Sequence, residues 1–301
     1  MRTDSLSLWA CPRDGHFPLT LSAPEAPAAD IRTGALTCPR CGSAYPVRDG
    51  IPDFLLLEED ESGRIKRMEL ESREQELDWP TEFQQVYESR VEAEAALARL
   101  QLSPHDLMLD AGCGFGRITR RALDTGAEVV AADFSFARLR TLRTHTGPGD
   151  RVELAVADAN HLPLRPATFT KILSTQVLEH LPAPDLRRAF VRKLLELLKP
   201  GGTLVLTAYN FDEAKRRRGE PAEGYHNSGV FYHCYNAAEL RADLQGFEVK
   251  EITGIRHYMR GMYKLRRSGR VGYAVDHLLE KMPALSLRFG SLLLAHAVKP
   301  Q

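Results

Sequence analysis

The segment that most constrains this chain is Leu107–Gly116, where an apolar run passes directly into closely spaced glycines. The run reads as a buried strand. Gly112 and Gly114 permit a tight turn and let backbone approach a ligand. A helix suits the residues from about Arg117 onward, and its first turn would offer unpaired backbone donors to an anionic group. The spacing says which anion. A dinucleotide-binding turn carries its third glycine three residues after the second. Arg117 stands at that position, and Gly116 comes one residue too early. The turn is therefore wrong for a pyrophosphate and suits an amino-acid tail, with Asp110 at the strand end placed to accept from an ammonium group.

From Leu107 the texture alternates between strand and helix. Strands are expected at Leu107–Leu109, Glu128–Ala132, Val152–Ala157, Lys171–Thr175, Thr203–Ala208, Phe247–Ile252 and Leu292–Val298. Helices are expected at about Phe136–Arg143, Pro184–Leu198 and Glu239–Leu244, with Lys199-Pro200-Gly201-Gly202 as a stop. Such alternation predicts an α/β fold, a parallel sheet covered by helices on both faces. Upstream, residues from about Ile65 to Leu100 mix polar helix formers with spaced apolar residues, including Phe83, Val86, Val91 and Leu97. They read as one or two amphipathic helices. Asp133 ends the second strand of the sheet, where a carboxylate can take both hydroxyls of a ribose. Asp158 follows the third strand and is placed to bind an adenine amino group.

Taken in order, Leu109–Gly116, Ala132-Asp133, Ala157-Asp158-Ala159, Val177-Leu178-Glu179-His180-Leu181 and Leu198-Lys199-Pro200-Gly201-Gly202 resemble class I S-adenosylmethionine-dependent methyltransferases. The resemblance implies a Rossmann-like sheet of seven strands, the last antiparallel, and S-adenosylmethionine as cofactor. It implies that Gly112, Gly114 and Gly116 frame the methionine moiety, with Cys113 as a small filler in the turn. Asp133 would bind ribose, Asp158 with Ala159 would surround adenine, and Gln176 and Val177 would line the sulfonium side. Tyr87 would lie in a helix folded over the cofactor. His180 would shape the site.

The cysteines are Cys11, Cys38, Cys41, Cys113 and Cys234. They are too sparse for a disulfide framework in a chain of 301 residues, which fits a reducing, cytoplasmic compartment. Cys38-Pro39-Arg40-Cys41-Gly42 has the spacing of a zinc knuckle. Cys11-Pro12-Arg13-Asp14-Gly15 has the same shape, with Asp14 in place of a second cysteine. Cys11, Asp14, Cys38 and Cys41 would make a tetrahedral set for zinc, and His16 is the rival fourth ligand. With Tyr45–Pro52 behind it, this segment resembles the zinc-ribbon-like activator subunit of tRNA and protein methyltransferases. Asp14 departs from that pattern, so a ribbon that keeps its fold without zinc stays open. The expected organisation is a ribbon-like module at 1–58, a linker and cap helices at 59–104, and a methyltransferase domain at 105–301. Module and sheet are expected to carry separate cores.

Basic and acidic residues number 40 each, so net charge supplies no attraction to nucleic acid. The amino terminus lacks the apolar run of a secretory signal, and no segment is apolar for long enough to span a bilayer. Residues 209–235 and 255–288 are the parts least explained by the cofactor fold. The first is dense in rings, and His226, Tyr232 and His233 are its candidates for taking a proton from the acceptor. Tyr209-Asn210-Phe211 lacks the prolines of the motif that grips planar amines. The second carries Met259 and Met262, which suit an apolar acceptor, and the cations Lys264, Arg266, Arg267 and Arg270. These cations and Lys215–Arg218 would attract an acidic acceptor or a membrane surface, and they lack the interleaved aromatics that favour RNA. The expectation is an enzyme that methylates a small-molecule or lipid-like acceptor in an enclosed pocket. The alternatives are an RNA or protein methyltransferase guided by the ribbon, and a non-catalytic cofactor-binding regulator.

Overall fold

The computed structural model describes residues 1–22, 31–57, 59–75, 83–147, 149–257 and 270–301. At the amino terminus, β1 (Thr20–Ser22), β2 (Gly34–Thr37), β3 (Ala44–Arg48) and β4 (Ile51–Pro52) form a four-stranded antiparallel sheet in that order. β3 buries Tyr45 and Val47 and exposes Ala44, Pro46 and Arg48, the period of a strand covered on one face. Two helices follow, α1 (Glu61–Gln75) and α2 (Phe83–Leu100). The side chains of Phe83 and Val86 lie outside the described residues. Val91, Ala96 and Leu100 form the inward face of α2.

The remaining chain builds a seven-stranded sheet in the order β12-β13-β9-β8-β5-β6-β7. β5 (Leu107–Ala111), β6 (Glu128–Asp133), β7 (Val152–Val156), β8 (Phe169–Thr175) and β9 (Leu198–Tyr209) run parallel. The last strand, β13 (Gly290–Val298), runs antiparallel between β9 and β12 (Glu248–His257). This is the Rossmann-like sheet expected from the resemblance. Its central strands are nearly continuous in buried apolar residues, as strands covered on both faces must be. α5 (Pro184–Leu197) shows how a helix covers them: Pro184 starts it, and Phe190, Val191, Leu194 and Leu197 make one buried stripe. α3 (Thr119–Leu123) and α4 (Phe136–Thr144) lie between the early strands. After β9 come α6 (Glu213–Arg218), the hairpin β10 (Glu223–Tyr225) and β11 (Phe231–His233), and α7 (Ala237–Asp243); α8 (Arg270–Glu280) and α9 (Pro283–Phe289) precede β13.

The module and the large sheet do not carry separate cores. Phe54 N donates to Val156 O, Ala10 N to Pro163 O and Arg165 N to Leu8 O, at 2.9, 2.9 and 3.0 Å. The rings of Trp9 and Phe54 lie 5.5 Å apart, in the same apolar cluster as Leu109, Val130 and Leu164. The module thus covers the β7 edge, which would otherwise present unpaired backbone groups. Lys215 pairs with Asp212, Arg217 with Glu213 and Arg218 with Glu220, so most of that basic run serves local ion pairs. Met259, Met262, Lys264, Arg266 and Arg267 lie outside the described residues. Among the described residues no helix is long and apolar enough to cross a membrane.

Candidate active site

Strand order reverses between β5 and β8, and ligands of open α/β sheets collect beyond the strand ends at such a switch. Gly112, just after β5, has φ +83°, and a Cβ there would stand 2.1 Å from Cγ2 of Val177. Glycine is therefore required where the turns after β5 and β8 meet. Gly116 is required for another reason: its Cβ would stand 2.3 Å from Cδ1 of Leu142 in α4. The turn opens a cavity of about 710 Å³ whose wall includes Gly112, Cys113, Gly114, Asp133, Asp158, Ala159, Gln176 and Val177. That size suits one cofactor and a small ligand.

Tyr87, Asp110 and Gly116, also anticipated as cofactor residues, are not part of this wall. Tyr87 donates to Asp276 Oδ2 at 2.5 Å and stacks on Tyr273. Asp110 accepts from Thr119 Oγ1 at 2.6 Å, bracing the start of α3, and burial pushes its carboxyl up to about 6.

Asp133 ends β6 with both oxygens oriented by backbone: Gly114 N donates to Oδ2 at 2.8 Å and Ser135 N to Oδ1 at 3.0 Å. Burial raises its carboxyl, against the pull of those N–H groups and of Arg138. Asp158 is more heavily engaged. Lys66 Nζ, from α1, lies 2.8 and 2.9 Å from its two oxygens, and His161 Nδ1 lies 2.9 Å from one. Lys66, Glu69 and Arg73 line the cavity from the same face of α1. Their spacing, three and then four residues apart, was the available sequence signal for this wall.

The end of β9 supplies the other side. Tyr209 and His180 line the cavity, with ring centroids 5.6 Å apart. His180 Nδ1 lies 2.7 Å from Phe231 O. Burial brings its pKa down to about 3, so the ring is neutral, Nδ1–H donates, and Nε2 is left as an acceptor. The anticipated bases stand further out. His226 is exposed at the rim, its ring 6.0 Å from Tyr209 and 4.7 Å from Tyr232. His233 is buried against Glu239 at 2.6 Å and Glu223 at 3.2 Å. None of His226, Tyr232 and His233 is part of the cavity wall.

The amino-terminal module holds a second cluster. Cys11, Asp14, Cys38 and Cys41 each bring one ligand atom within 4.8 Å of the others. Two matching turns bring them together: Gly15 N donates to Cys11 O at 2.8 Å, and Gly42 N to Cys38 O at 2.9 Å. Cys11 Sγ and Cys41 Sγ are 3.6 Å apart, and Cys38 Sγ lies 3.6 Å from an Asp14 oxygen. A tetrahedron with metal–sulfur bonds of about 2.3 Å spaces its sulfurs about 3.8 Å apart, so the set fits zinc. His16, the rival ligand, gives its backbone N–H to Asp14 and is not in the cluster. Four protein ligands leave no open position, so zinc here would serve the fold and not the chemistry.

Residues 109–206 match the family model described as a methyltransferase domain, and residues 6–50 match that of Trm112p-like proteins. A ubiquinone biosynthesis O-methyltransferase of Xanthomonas campestris pv. campestris is 34% identical over 115 residues, 38% of this chain and 46% of that protein. The chain spans about half the length of the curated relatives it matches. The Burkholderia thailandensis 1,6-didemethyltoxoflavin-N1-methyltransferase, solved with S-adenosylhomocysteine, has a TM-score of 0.55 at 18% identity, over 90% of this chain and all (100%) of that one. A complex of the Haloferax volcanii Trm112 methyltransferase activator with a methyltransferase has a TM-score of 0.51 at 19% identity, over 80% of this chain and 94% of that one. At these identities the solved structures speak to fold alone, and the fold agrees. The chain thus joins a methyltransferase-type domain, on a seven-stranded Rossmann-like sheet, to a Trm112p-like module at its amino terminus.

Proposed function

We propose that the protein transfers the methyl group of S-adenosylmethionine to a small-molecule or lipid-like acceptor held beside Tyr209 and His180. One observation carries this reading: a single cavity runs from Asp133 and Asp158 to Tyr209, His180 and Arg256, so cofactor and acceptor would share one space. Cations at the acceptor end have carboxylate partners, Arg73 with Glu69 and Arg256 with Glu88, which speaks against a bare basic track for nucleic acid. Relatives named for ubiquinone biosynthesis and for malonyl-[acyl-carrier protein] O-methylation support an acceptor of modest size. Methyl transfer from a sulfonium depends chiefly on alignment of nucleophile, carbon and sulfur. A hydroxyl acceptor also has to lose a proton. His180 Nε2 would orient such a hydroxyl, and His226 at the rim, its imidazole kept neutral by partial burial, would receive the proton; Tyr232, its phenol pushed up by burial, keeps its own. His233, held between two carboxylates, is the least free of the three to do so. Binding and turnover test the reading. The protein should bind S-adenosylhomocysteine and not a nicotinamide dinucleotide, and should label a phenolic or acidic small molecule from methyl-labelled cofactor. Dinucleotide binding alone, measured by calorimetry, overturns it.

A further inference from the structure

Glu92 stands in the middle of α2 with none of its surface exposed, and no step of the proposed transfer uses it. Its carboxylate joins several elements. Gln176 Nε2, just after β8, lies at 2.8 Å; Thr207 Oγ1, on β9, at 2.7 Å; Arg117 Nη2, before α3, at 2.5 Å. Burial pushes such a carboxyl up. Here the charges of Arg117 and Arg256 and the bonds from Thr207 and Arg117 outweigh burial and hold it below its ordinary value. Glu92 is therefore an anion, able only to accept.

This decides how Gln176 is turned. Gln176 lines the cavity at a left-handed φ of 54°, and its backbone N–H is tied to Thr207 O at 3.1 Å and to Thr207 Oγ1 at 3.2 Å. Facing an anion, the side-chain amide must give its NH2 to Glu92 and keep its carbonyl oxygen for the cavity. We propose that Glu92 is a positioning residue for methyl transfer: it fixes the Gln176 amide so that a carbonyl oxygen, and not an NH2, faces the reacting group. The negative end of the amide dipole then lies toward a sulfonium, and the reversed amide would oppose it. The proposal rests on the methyltransferase reading.

Full-length protein with S-adenosylmethionine labelled with carbon-13 at the methyl group provides the test, because the bound methyl resonance reports its immediate surroundings. Failure of wild-type protein to bind the cofactor removes the methyltransferase reading itself. Given binding, Gln176→Leu and Glu92→Gln should each shift the bound methyl resonance in the same direction. The double variant should match Gln176→Leu, because Glu92 acts through Gln176. Melting temperatures identify a variant that fails to fold. Gln176→Leu leaves Thr207 and Arg117 on Glu92, so it keeps the test decisive if Glu92→Gln is unstable. An unmoved resonance in Gln176→Leu, or shifts from the two sites that add, overturns the proposal. So does a Glu92→Gln protein whose melting temperature falls while its methyl resonance stays in place.

Discussion

Asp133 has each carboxylate oxygen committed to one backbone N–H, which sets its plane relative to the cavity. If Asp133 holds the ribose hydroxyls, Asp133→Ala removes two charge-assisted hydrogen bonds. At about 1.5–3 kcal/mol each, S-adenosylhomocysteine affinity should fall at least about tenfold. An unchanged affinity in a folded variant would displace Asp133 from that role. Asp110 makes a different prediction. Its carboxyl is raised from 3.8 to about 6 by burial, so the folded state prefers the protonated form. That stabilisation is whole below about pH 4 and is lost as pH rises through about 6. The loss at neutral pH comes to ~3 kcal/mol. Asp110→Asn keeps the shape and an acceptor for Thr119, so its urea midpoint should exceed wild type at about pH 7.5 and match it near pH 4. A lower midpoint at the higher pH would show that ionised Asp110 is net stabilising. At this scale the sequence revealed which carboxylates end strands, because strand and turn are local. It did not reveal that Asp110 turns to Thr119, or that Asp158 pairs with Lys66, 92 residues away.

α1 illustrates what a helix hides. Its helical texture was legible, but its inward face was not, because Lys66, Glu69 and Arg73 make that face charged and polarity no longer marks the outside. Lys66 turns inward because Asp158 awaits it, and Arg73 pairs with Glu69 on the same helix. If Asp158 holds an adenine amino group, the cofactor and Lys66 compete for the same carboxylate. Lys66→Met should therefore speed S-adenosylhomocysteine association several-fold in stopped-flow, with His161 still on Asp158. A slower or unchanged rate would show that α1 does not stand in the cofactor's way. The hairpin of β10 and β11 escaped the sequence for a different reason. Each strand has 3 residues, too few for an alternation to register. Its consequence for the site is large, since Phe231 O fixes the tautomer of His180. Rings from Tyr225 to Tyr235 were expected near the acceptor, and the hairpin instead sets His226 at the rim and buries His233 between carboxylates.

The whole molecule departs from its sequence reading in the relation between its two parts. Cysteine spacing and the glycine turn marked each part separately, but an interface made by Leu8, Trp9, Ala10 and Phe54 has no signature distinct from ordinary core. Those residues change what the metal cluster can do. Cys11 follows directly on Ala10, whose N–H holds Pro163 O, and Leu8 O holds Arg165 N. The backbone they grip continues the loop that carries Asp158 and His161, while Phe54 N holds Val156 O just before it. Loosening the cluster should therefore reach Asp158, where separate cores would have insulated it. Purified protein never exposed to a chelator should carry up to about one zinc per chain by elemental analysis. Cys38→Ser should lower that content and weaken S-adenosylhomocysteine binding several-fold, because loss of metal frees the module that braces the loop. Zero zinc in the wild type would leave the ribbon to fold by packing alone. Full zinc loss in Cys38→Ser with unchanged affinity would show that the shared core holds the loop without help from the metal.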